Sequence, residues 1–242
     1  MSKAAYIGVG DKARKIKAIY VGDENGKARR VTAGYVGVGG VARQFFASGG
    51  ILGELDVGQT VKMNVSGVPK EFLVVHQGRP SEKYNESYDG TWLLMKENFS
   101  NCIWTAYSIS TDYRNSNFAK EEVPKFLNAL DEGVRNIIIS AYTSKAFPLS
   151  AGEVGLESSS DGAKLDYFLD GYGDEANERR VEAGRNSWWL RTTVVSDAAR
   201  KAYVVNASGS TSTVSVGNRN GFRPALILPK ETRVSEDGTI IV

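Results

Sequence analysis

Short segments of alternating or continuous apolar residues recur along the chain, separated by polar turns, which is the pattern of β-strands. The stretch TVKMNVSGVPKEFLVV alternates before the turn-forming SGVP and is apolar again after it, so it predicts a β-hairpin. GTWLLMKE predicts a buried strand. The alternation returns in WWLRT, KAYVVNA, STVSV and GFRPALIL, with polar turns between them. These four segments predict a meander of strands.

Helical spacing interrupts this pattern in FAKEEVPKFLNALDEGVRNIII, where Val123, Phe126, Leu127 and Leu130 recur three and four positions apart. Proline fits only the first turn of a helix, so this helix is expected to begin close to Pro124. The whole body is therefore predicted to be a strand-rich α+β domain with helices in its first half.

Two shorter helices are also predicted. Ser150 and Glu153 have the spacing of a capping box, and AKLDYFLDGYG reads as one or two helical turns closed by Gly171.

Two adjacent tryptophans, Trp188 and Trp189, would point to opposite faces of their strand. We interpret both as packing residues, one in the core and one under a covering helix or loop, with ligand stacking as the alternative. Arg191 and Arg223 are either functional or bound to backbone carbonyls.

Residues 1–46 contain three copies of a short repeat: YIGVGDKARKI, YVGDENGKARRV and YVGVGGVARQF. Each copy predicts strand, tight turn and strand, with Asn25-Gly26 and Gly39-Gly40 suited to hairpin turns. The Gly-rich stretch ASGGILGELDVGQ, residues 47–59, is predicted to be a linker to the body at 60–242.

Units as short as these hairpins cannot bury a face alone, so they are expected to stack on each other or on a partner. We interpret them as an assembly or attachment module; three solvated hairpins are the alternative. Stacking would align two ladders of side chains. The residues assigned to assembly are Tyr6, Arg14, Tyr20, Arg29, Tyr35 and Arg43.

Charge is uneven along the chain. Residues 1–46 carry nine Lys or Arg against three acidic residues, a net charge of +6, whereas the rest carries 21 against 25, a net charge of −4. Nucleic-acid binding is not expected, because no basic helix accompanies the repeat. No apolar run approaches the roughly 18 residues of a membrane span, and no secretory signal is expected at the N-terminus.

No metal site or cofactor is expected. Cys102 is the single cysteine and is predicted to be a buried, inert thiol, and His76 is the single histidine. The acidic stretch DYFLDGYGDEANE favours a solvated loop over a calcium site, because it lacks the regular spacing of an EF-hand.

Five segments follow in an order that resembles an uncharacterised domain family of Gram-positive bacteria and their phages: AFPLSAGEVGL, LDYFL, NSWWLRT, AYVVNASGS and NGFRPALIL. A WWLR segment and a terminal G-[VF]-R-P-A segment are the hallmarks of that family, and DYRNSNFAKEEVPKFLNAL looks like its Ser…Leu-Asn helix. The resemblance covers about residues 60–230. The N-terminal repeat looks like modules of phage tail and baseplate proteins.

The resemblance implies a C-type-lectin-like fold similar to that of the formylglycine-generating enzymes. It does not imply their activity, because those enzymes use a cysteine pair with copper and this chain has one cysteine. We expect no enzyme. A glycan hydrolase is a further alternative, but it needs paired carboxylates that face a cleft, and the sequence alone places none. We expect a phage or prophage virion protein, made in the bacterial cytoplasm, that binds other virion proteins through residues 1–46 and forms a homo-oligomer.

Its partner is expected to be a host surface glycan or protein, bound by polar loops that gather near one edge of the meander. The alternatives are that these loops are merely polar turns and that the protein is a purely structural decoration or adaptor component. The candidate ligand-binding residues are Thr192, Thr193, Asp197, Ser208, Ser210, Thr211, Asn218, Arg219 and Asn220.

Overall fold

The chain is strand-rich with a few short helices, which confirms the mostly β, α+β class predicted for it. The computed structural model describes residues 49–105, 113–156, 161–194 and 200–242, together with the backbone of six strands that precede residue 48.

The six early strands form three antiparallel hairpins, one for each copy of the sequence repeat. The hairpins are β1 (Tyr6–Val9) with β2 (Lys12–Lys15), β3 (Tyr20–Gly22) with β4 (Ala28–Arg30), and β5 (Ala33–Val38) with β6 (Val41–Ala47). The tyrosine of each copy pairs with the residue after its arginine: Tyr6 with Lys15, Tyr20 with Arg30 and Tyr35 with Gln44. The sequence repeat is therefore also a repeat of pairing register.

Arg14, Arg29 and Arg43 each pair with the residue that follows the tyrosine. The side chains of this region lie outside the described residues, as do the turns that contain Asn25-Gly26 and Gly39-Gly40. The predicted ladders of tyrosine and arginine side chains stay predictions.

The remaining elements build the body. Its strands are β7 (Gly50–Ile51), β8 (Thr60–Val65), β9 (Val68–Gly78), β10 (Gly90–Met95), β11 (Ser100–Ile103), β12 (Trp188–Thr193), β13 (Lys201–Val205), β14 (Thr211–Ser215), β15 (Arg219–Phe222), β16 (Ala225–Leu228), β17 (Arg233–Val234) and β18 (Ile240–Ile241). Its α-helices are α1 (Val123–Ala129), α2 (Glu132–Ile137) and α3 (Asp174–Arg180), and shorter helical turns lie at Leu52–Glu54, Glu86–Tyr88, Tyr113–Asn115 and Phe118–Glu122.

The first sheet has the strand order β16-β10-β9-β8 and is antiparallel throughout. All six residues of β10 are buried, as expected for a central strand with no polar alternation. The hairpin of β8 and β9 is confirmed, but its turn is only Ser66-Gly67, with φ of 53° and 75°. Pro69 therefore lies in β9, opposite Asn64, and not in the turn.

The second sheet has the order β11-β15-β12-β13-β14. The predicted meander is present in β12, β13 and β14, but β15 runs parallel to β12 on its other side. GFRPALIL was predicted as one strand and is two, β15 in this sheet and β16 in the first. The strands separate at Arg223-Pro224, because proline has no N–H with which to continue a ladder.

The helical predictions are confirmed only in part. The α-helix α1 begins at Val123, next to Pro124, as predicted, but a π-helical segment at Phe118–Glu122 runs directly into it, so the helical backbone starts earlier than expected. Leu130 is not helical: its ψ is 149° and it forms a β-bridge with Val65 of the first sheet. The helix predicted over AKLDYFLDGYG is wrong, since residues 163–173 are turns and irregular backbone and α3 begins directly after them.

Arg180 in α3 gives a physical reason for that difference. Its guanidinium donates hydrogen bonds to the carbonyls of Leu169 (3.2 Å) and Gly171 (2.7 Å), so these acceptors are satisfied without a helix. Within the described ranges, no helix is long and apolar enough to cross a membrane.

From Gly50 onward, the segment predicted to be a linker is packed and hydrogen-bonded as part of the body. The short strand β7 pairs with β17, which in turn pairs with β18, and Leu52 is fully buried. The N–H groups of Leu52 and Gly53 donate to the carbonyls of Thr232 and Lys230. One buried leucine and one strand in a Gly-rich segment were enough to fix it to the body.

Both tryptophans of WWLR are completely buried, so the packing interpretation is confirmed. The indole N–H of Trp188 donates to the carbonyl of Arg180 (3.1 Å), and that of Trp189 donates to the carbonyl of Cys102 (2.9 Å). Trp188 thus faces the side of α3 and Trp189 the side of β11. A strand covered on both faces has large apolar residues on both, which answers why the two rings are adjacent.

Candidate functional site

A polar groove of about 470 Å³ opens where three chain segments meet beside the start of β12. The segments are the entry into β11, the two residues before β12, and β15. We call this the amide groove, because four of its side chains are carboxamides. It is lined by Asn98, Ser100, Asn101, Asn186, Ser187, Arg219, Asn220 and Gly221.

The groove follows from a step in the second sheet. The strand β15 pairs with β11 along its whole length, with Ile103 opposite Arg219, but it joins β12 only where Trp188 meets Gly221. At this point the Gly221 N–H of β15 donates a hydrogen bond to the carbonyl of Ser187, the residue before β12, at 2.9 Å. Arg219 and the residue after it therefore extend past the start of β12, and the space beside them is the groove.

A buried carboxylate positions two of the asparagines. Glu182 is only 2% exposed, and its oxygens accept the backbone N–H groups of Asn98 (2.8 Å) and Asn186 (3.0 Å). Arg223 lies below it in the core. Burial lowers the pKa of Arg223 to about 10, and the negative charge of Glu182 acts in the opposite direction.

Asn98 has an incompletely satisfied amide. Its Nδ2 donates a long hydrogen bond to the Ser187 carbonyl (3.4 Å), whereas its Oδ1 is buried and accepts no hydrogen bond in the described structure. A buried amide oxygen without a donor is uncommon in folded proteins. A β-carbon at position 221 would lie 2.0 Å from Asn98 Nδ2, so the absent side chain of Gly221 leaves room for this amide.

Arg219 carries the single charge in the groove lining. Its side chain is exposed and donates one hydrogen bond, from Nη1 to the Asn101 carbonyl at 3.0 Å. Glu122 lies behind Ser100, whose hydroxyl donates to it at 2.7 Å. Burial opposes its charge, but hydrogen bonds from Lys125 and Ser100 outweigh burial, and the pKa of Glu122 is lowered overall.

A second polar cluster lies inside the body and belongs to the scaffold. Arg191 of WWLR forms a two-fold pair with Glu153, with N–O distances of 2.6 and 2.7 Å. Arg191 also donates to the carbonyls of Pro148 (3.0 Å) and Asp161 (3.1 Å). Burial alone would lower the pKa of Arg191, but the charge of Glu153 outweighs it and raises the pKa.

Glu153 also forms the capping box predicted from the sequence. Its Oε2 accepts the Ser150 N–H (2.9 Å), and its own N–H donates to Ser150 Oγ (3.1 Å), although a tight turn and no helix follows. Its Oε1 accepts the hydroxyls of Tyr84 (3.1 Å) and Tyr142 (2.7 Å). Burial, and then the charge of Glu153, raise the pKa of both tyrosines. They are hydrogen-bond donors in this cluster.

The predicted ligand-binding residues do not gather at one edge. Thr193 lies opposite Ala202, whereas Thr211 lies opposite Val205, and Val205 lies opposite Trp188 at the other end of β12. Successive turns of a meander alternate between the two ends of its strands, so the prediction of one shared edge is wrong.

Each candidate has a definite place where it is described. Thr192 belongs to the interior cluster: its Oγ1 donates to Asp161 Oδ2 and accepts the Ala151 N–H at 2.8 Å. Thr193 ends β12 and is half-buried. Asp197 lies outside the described residues.

The β13–β14 turn contains three more candidates. The hydroxyls of Ser208 and Ser210 are 2.9 Å apart, and Thr211 begins β14. The turn is seated on α3, because a β-carbon at Gly209 (φ 80°) would lie 1.8 Å from the Asn177 carbonyl oxygen. Asn218 is exposed in the next turn.

Only Arg219 and Asn220 of the nine line the amide groove. Sequence reasoning missed Asn98, Asn101 and Asn186, because the pairing that brings β11 beside β15 spans more than a hundred residues. A local signal did exist, since ENFSNC and NSWWLR each place asparagine and serine at the start of a strand.

The acidic stretch does not assemble a cation site. Asp166 Oδ2 lies 2.8 Å from His76 Nδ1, Asp170 pairs with Lys164 at 2.6 Å, and Asp174 and Glu175 occupy the first turn of α3. Among the described residues, no three His, Cys, Asp or Glu side chains are grouped to hold a metal ion. Cys102 is buried, as predicted.

A protein-family model described as "Domain of unknown function (DUF6273)" matches residues 89–230, more than half of the chain. The chain belongs to this family. The DUF6273 region contains the entire lining of the amide groove and both members of the Arg191–Glu153 pair. No curated protein and no solved structure matches the chain.

Proposed function

We propose that the DUF6273 body is a binding domain and that the amide groove receives a ligand on the host cell surface. The observation that carries this proposal is the convergence of four carboxamides and one exposed arginine in an open groove. Such a set of groups suits polar recognition. The buried carboxylate of Glu182 fixes the backbone of two of them, because it accepts the N–H groups of Asn98 and Asn186.

The chemistry of the lining favours binding over catalysis. Carboxamides and hydroxyls hydrogen-bond well but do not exchange protons near neutral pH. The adjacent carboxylates of Glu182 and Glu122 are engaged by backbone N–H groups, Ser100 and Lys125. We therefore propose a non-enzymatic role.

The biological setting in the proposal is a phage or prophage tail-associated virion protein with a C-type-lectin-like body. Its support is the resemblance of WWLR and GFRPA to a family of Gram-positive bacteria and their phages, and of the N-terminal repeat to tail modules. Residues 1–46 would attach the protein to other virion proteins and make it a homo-oligomer. Their three hairpins of matching register are a suitable unit for stacking.

The test is binding of the purified full chain to a panel of Gram-positive cells and isolated cell walls, measured by pull-down. We expect wild-type protein to sediment with at least one of them. A double variant, Asn101→Ala with Asn220→Ala, should remain folded and lose most binding. The matched control, Asn128→Ala with Asn136→Ala, changes two exposed asparagines outside the groove and should bind normally.

The second candidate function is a purely structural decoration or adaptor component of the virion. The matching register of the three hairpins would serve this role equally. Protein that enters virus particles but sediments with none of the cells or walls would favour this second function and contradict the first.

A further inference from the structure

We infer that the amide groove takes an N-acetylated acidic sugar of a glycan, that is, a ligand with a secondary amide close to a carboxylate. This inference rests on the proposed function and names the ligand class for the same site. It follows from three properties of the lining: its carboxamides, its charge balance and its lack of aromatic rings.

The carboxamides call for a ligand that both donates and accepts. Asn101 and Asn220 each bring a carboxamide, with N–H donors and a carbonyl acceptor, to the groove wall. The Asn186 Nδ2 already donates to the Gly184 carbonyl (3.2 Å) and to Glu182 (3.4 Å), so this amide offers the ligand mainly its carbonyl oxygen. Asn98 lies behind them, because its Oδ1 is buried and its Nδ2 donates to the Ser187 carbonyl. A secondary amide offers one N–H and one C=O side by side, and it can pair with such groups where a simple anion cannot.

The charge balance calls for one negative charge on the ligand. Arg219 is the only charged residue among the eight that line the groove. Its charge also acts on Glu122, which lies behind Ser100, but that carboxylate already forms an ion pair with Lys125 at 2.7 Å. Its guanidinium has five N–H donors, of which the Asn101 carbonyl takes one, so a carboxylate could bind it with two parallel hydrogen bonds.

The composition of the lining excludes a neutral sugar held mainly by its apolar face. Such recognition uses an aromatic ring as a platform, and none of the eight lining residues is aromatic. Selectivity must then come from hydrogen bonds and charge. An acetamido group and a carboxylate supply both on a single ring.

The test uses a defined probe, the disaccharide of N-acetylglucosamine and N-acetylmuramic acid, titrated into the full chain by calorimetry. Two analogues change one group each: in one, a hydroxyl replaces the muramic acetamido group; in the other, an uncharged amide replaces the carboxylate. We expect each analogue to bind about tenfold more weakly, the scale of one hydrogen bond that involves a charged or buried group.

Arg219→Gln makes the experiment specific to the groove. This variant should bind the parent disaccharide about tenfold more weakly than wild type does. Its affinity for the uncharged analogue should be unchanged, because that analogue already lacks the carboxylate that Arg219 would bind. Arg135→Gln, a half-buried arginine outside the groove, is the matched control and should bind all three probes as wild type does.

The outcomes separate this inference from the proposed function. If the protein sediments with cell walls but does not bind the disaccharide, the ligand class is wrong and the proposed function is unaffected. The same holds if it binds both analogues as tightly as the parent disaccharide. An N-acetylated dipeptide that binds more tightly than the disaccharide also overturns it. If no wall or cell is bound at all, both proposals fail together.

Discussion

Arg191 and Glu153, 38 residues apart, form a two-fold ion pair in the interior, where the Glu153 side chain is fully buried and that of Arg191 is 7% exposed. The pair joins the turn after residue 150 to the strand that carries WWLR. We predict that Glu153→Gln lowers the free energy of unfolding by about 3–5 kcal/mol, because it leaves the Arg191 charge buried without a counterion. Urea denaturation would measure the change.

The matched control is Asp170→Asn, which removes the carboxylate of the exposed Lys164–Asp170 pair and should cost no more than about 1 kcal/mol. Equal effects of the two variants would mean that burial of the Arg191–Glu153 pair has no energetic consequence.

Gly221 leaves the room in which the Asn98 amide sits. We predict that Gly221→Ala still folds, with a loss of about 1–3 kcal/mol in the free energy of unfolding, and loses ligand binding, since the new methyl group would displace the Asn98 amide and not backbone. Gly173→Ala is the control, because a β-carbon there meets no atom within 4 Å. Sedimentation with cell walls and a thermal melt would be measured for both. A Gly221→Ala protein that binds walls normally would place the ligand elsewhere.

Two truncations that differ by twelve residues test where the body begins. Removal of residues 1–47 should leave a folded monomer, because the described strands of the hairpins pair only with one another and not with the body sheets. Removal of residues 1–59 also deletes β7 and the buried Leu52, and loss of a buried leucine alone costs about 2–5 kcal/mol.

Size-exclusion chromatography and urea denaturation compare the two truncated proteins. Equal free energies of unfolding would show that residues 48–59 do not stabilise the body and act only as a linker. An oligomer that persists without residues 1–47 would contradict the assembly role of the repeat.

Cys102 should be unreactive until the protein unfolds. Burial, with a smaller contribution from Glu122, raises the pKa of its thiol to about 12, so almost none is thiolate at pH 8. We predict slow alkylation by iodoacetamide in the native protein and rapid alkylation in urea. Fast alkylation of native protein at pH 8 would contradict the burial of this thiol.

The raised pKa of Cys102 also predicts a pH effect on stability. The folded state keeps a proton that the unfolded chain loses above its ordinary thiol pKa of 9.0, so this contribution is complete below pH 9 and is lost as the pH rises towards 12. The free energy of unfolding of wild type should therefore fall more steeply between pH 9 and 11 than that of Cys102→Ala. Parallel curves would show that the thiol does not titrate differently in the two states.

Strong local signals in the sequence predicted the elements that depend on them. Alternation located β8, apolar runs located β9 and β10, and Pro124 lies next to the start of α1. The adjacent tryptophans correctly implied a strand covered on both faces. Even the Ser150–Glu153 capping box formed its two hydrogen bonds.

Long-range pairing decided the features that the sequence did not reveal. Whether GFRPALIL is one strand or two depends on β11 and β10, which pair with its two halves from more than a hundred residues away. The amide groove depends on the same pairing, since Asn98 and Asn220 become neighbours only when β11 lies beside β15. Residue composition does not reveal which distant strands pair. The candidate loops between β12 and β15 are close in sequence and were therefore predicted to lie together, although they lie at opposite ends of the strands.

The small sheet of β7, β17 and β18 has a mechanical consequence. In it, β17 pairs with β7 on one side and with β18 on the other. The segment that leads from the hairpins into β7 therefore enters the body next to its last two strands. A pull on that segment would load the short β7–β17 ladder and the hydrogen bonds of Leu52 and Gly53 before it reached the two larger sheets. We expect this small sheet to open under tension before the two larger sheets do, because its ladders are only two residues long.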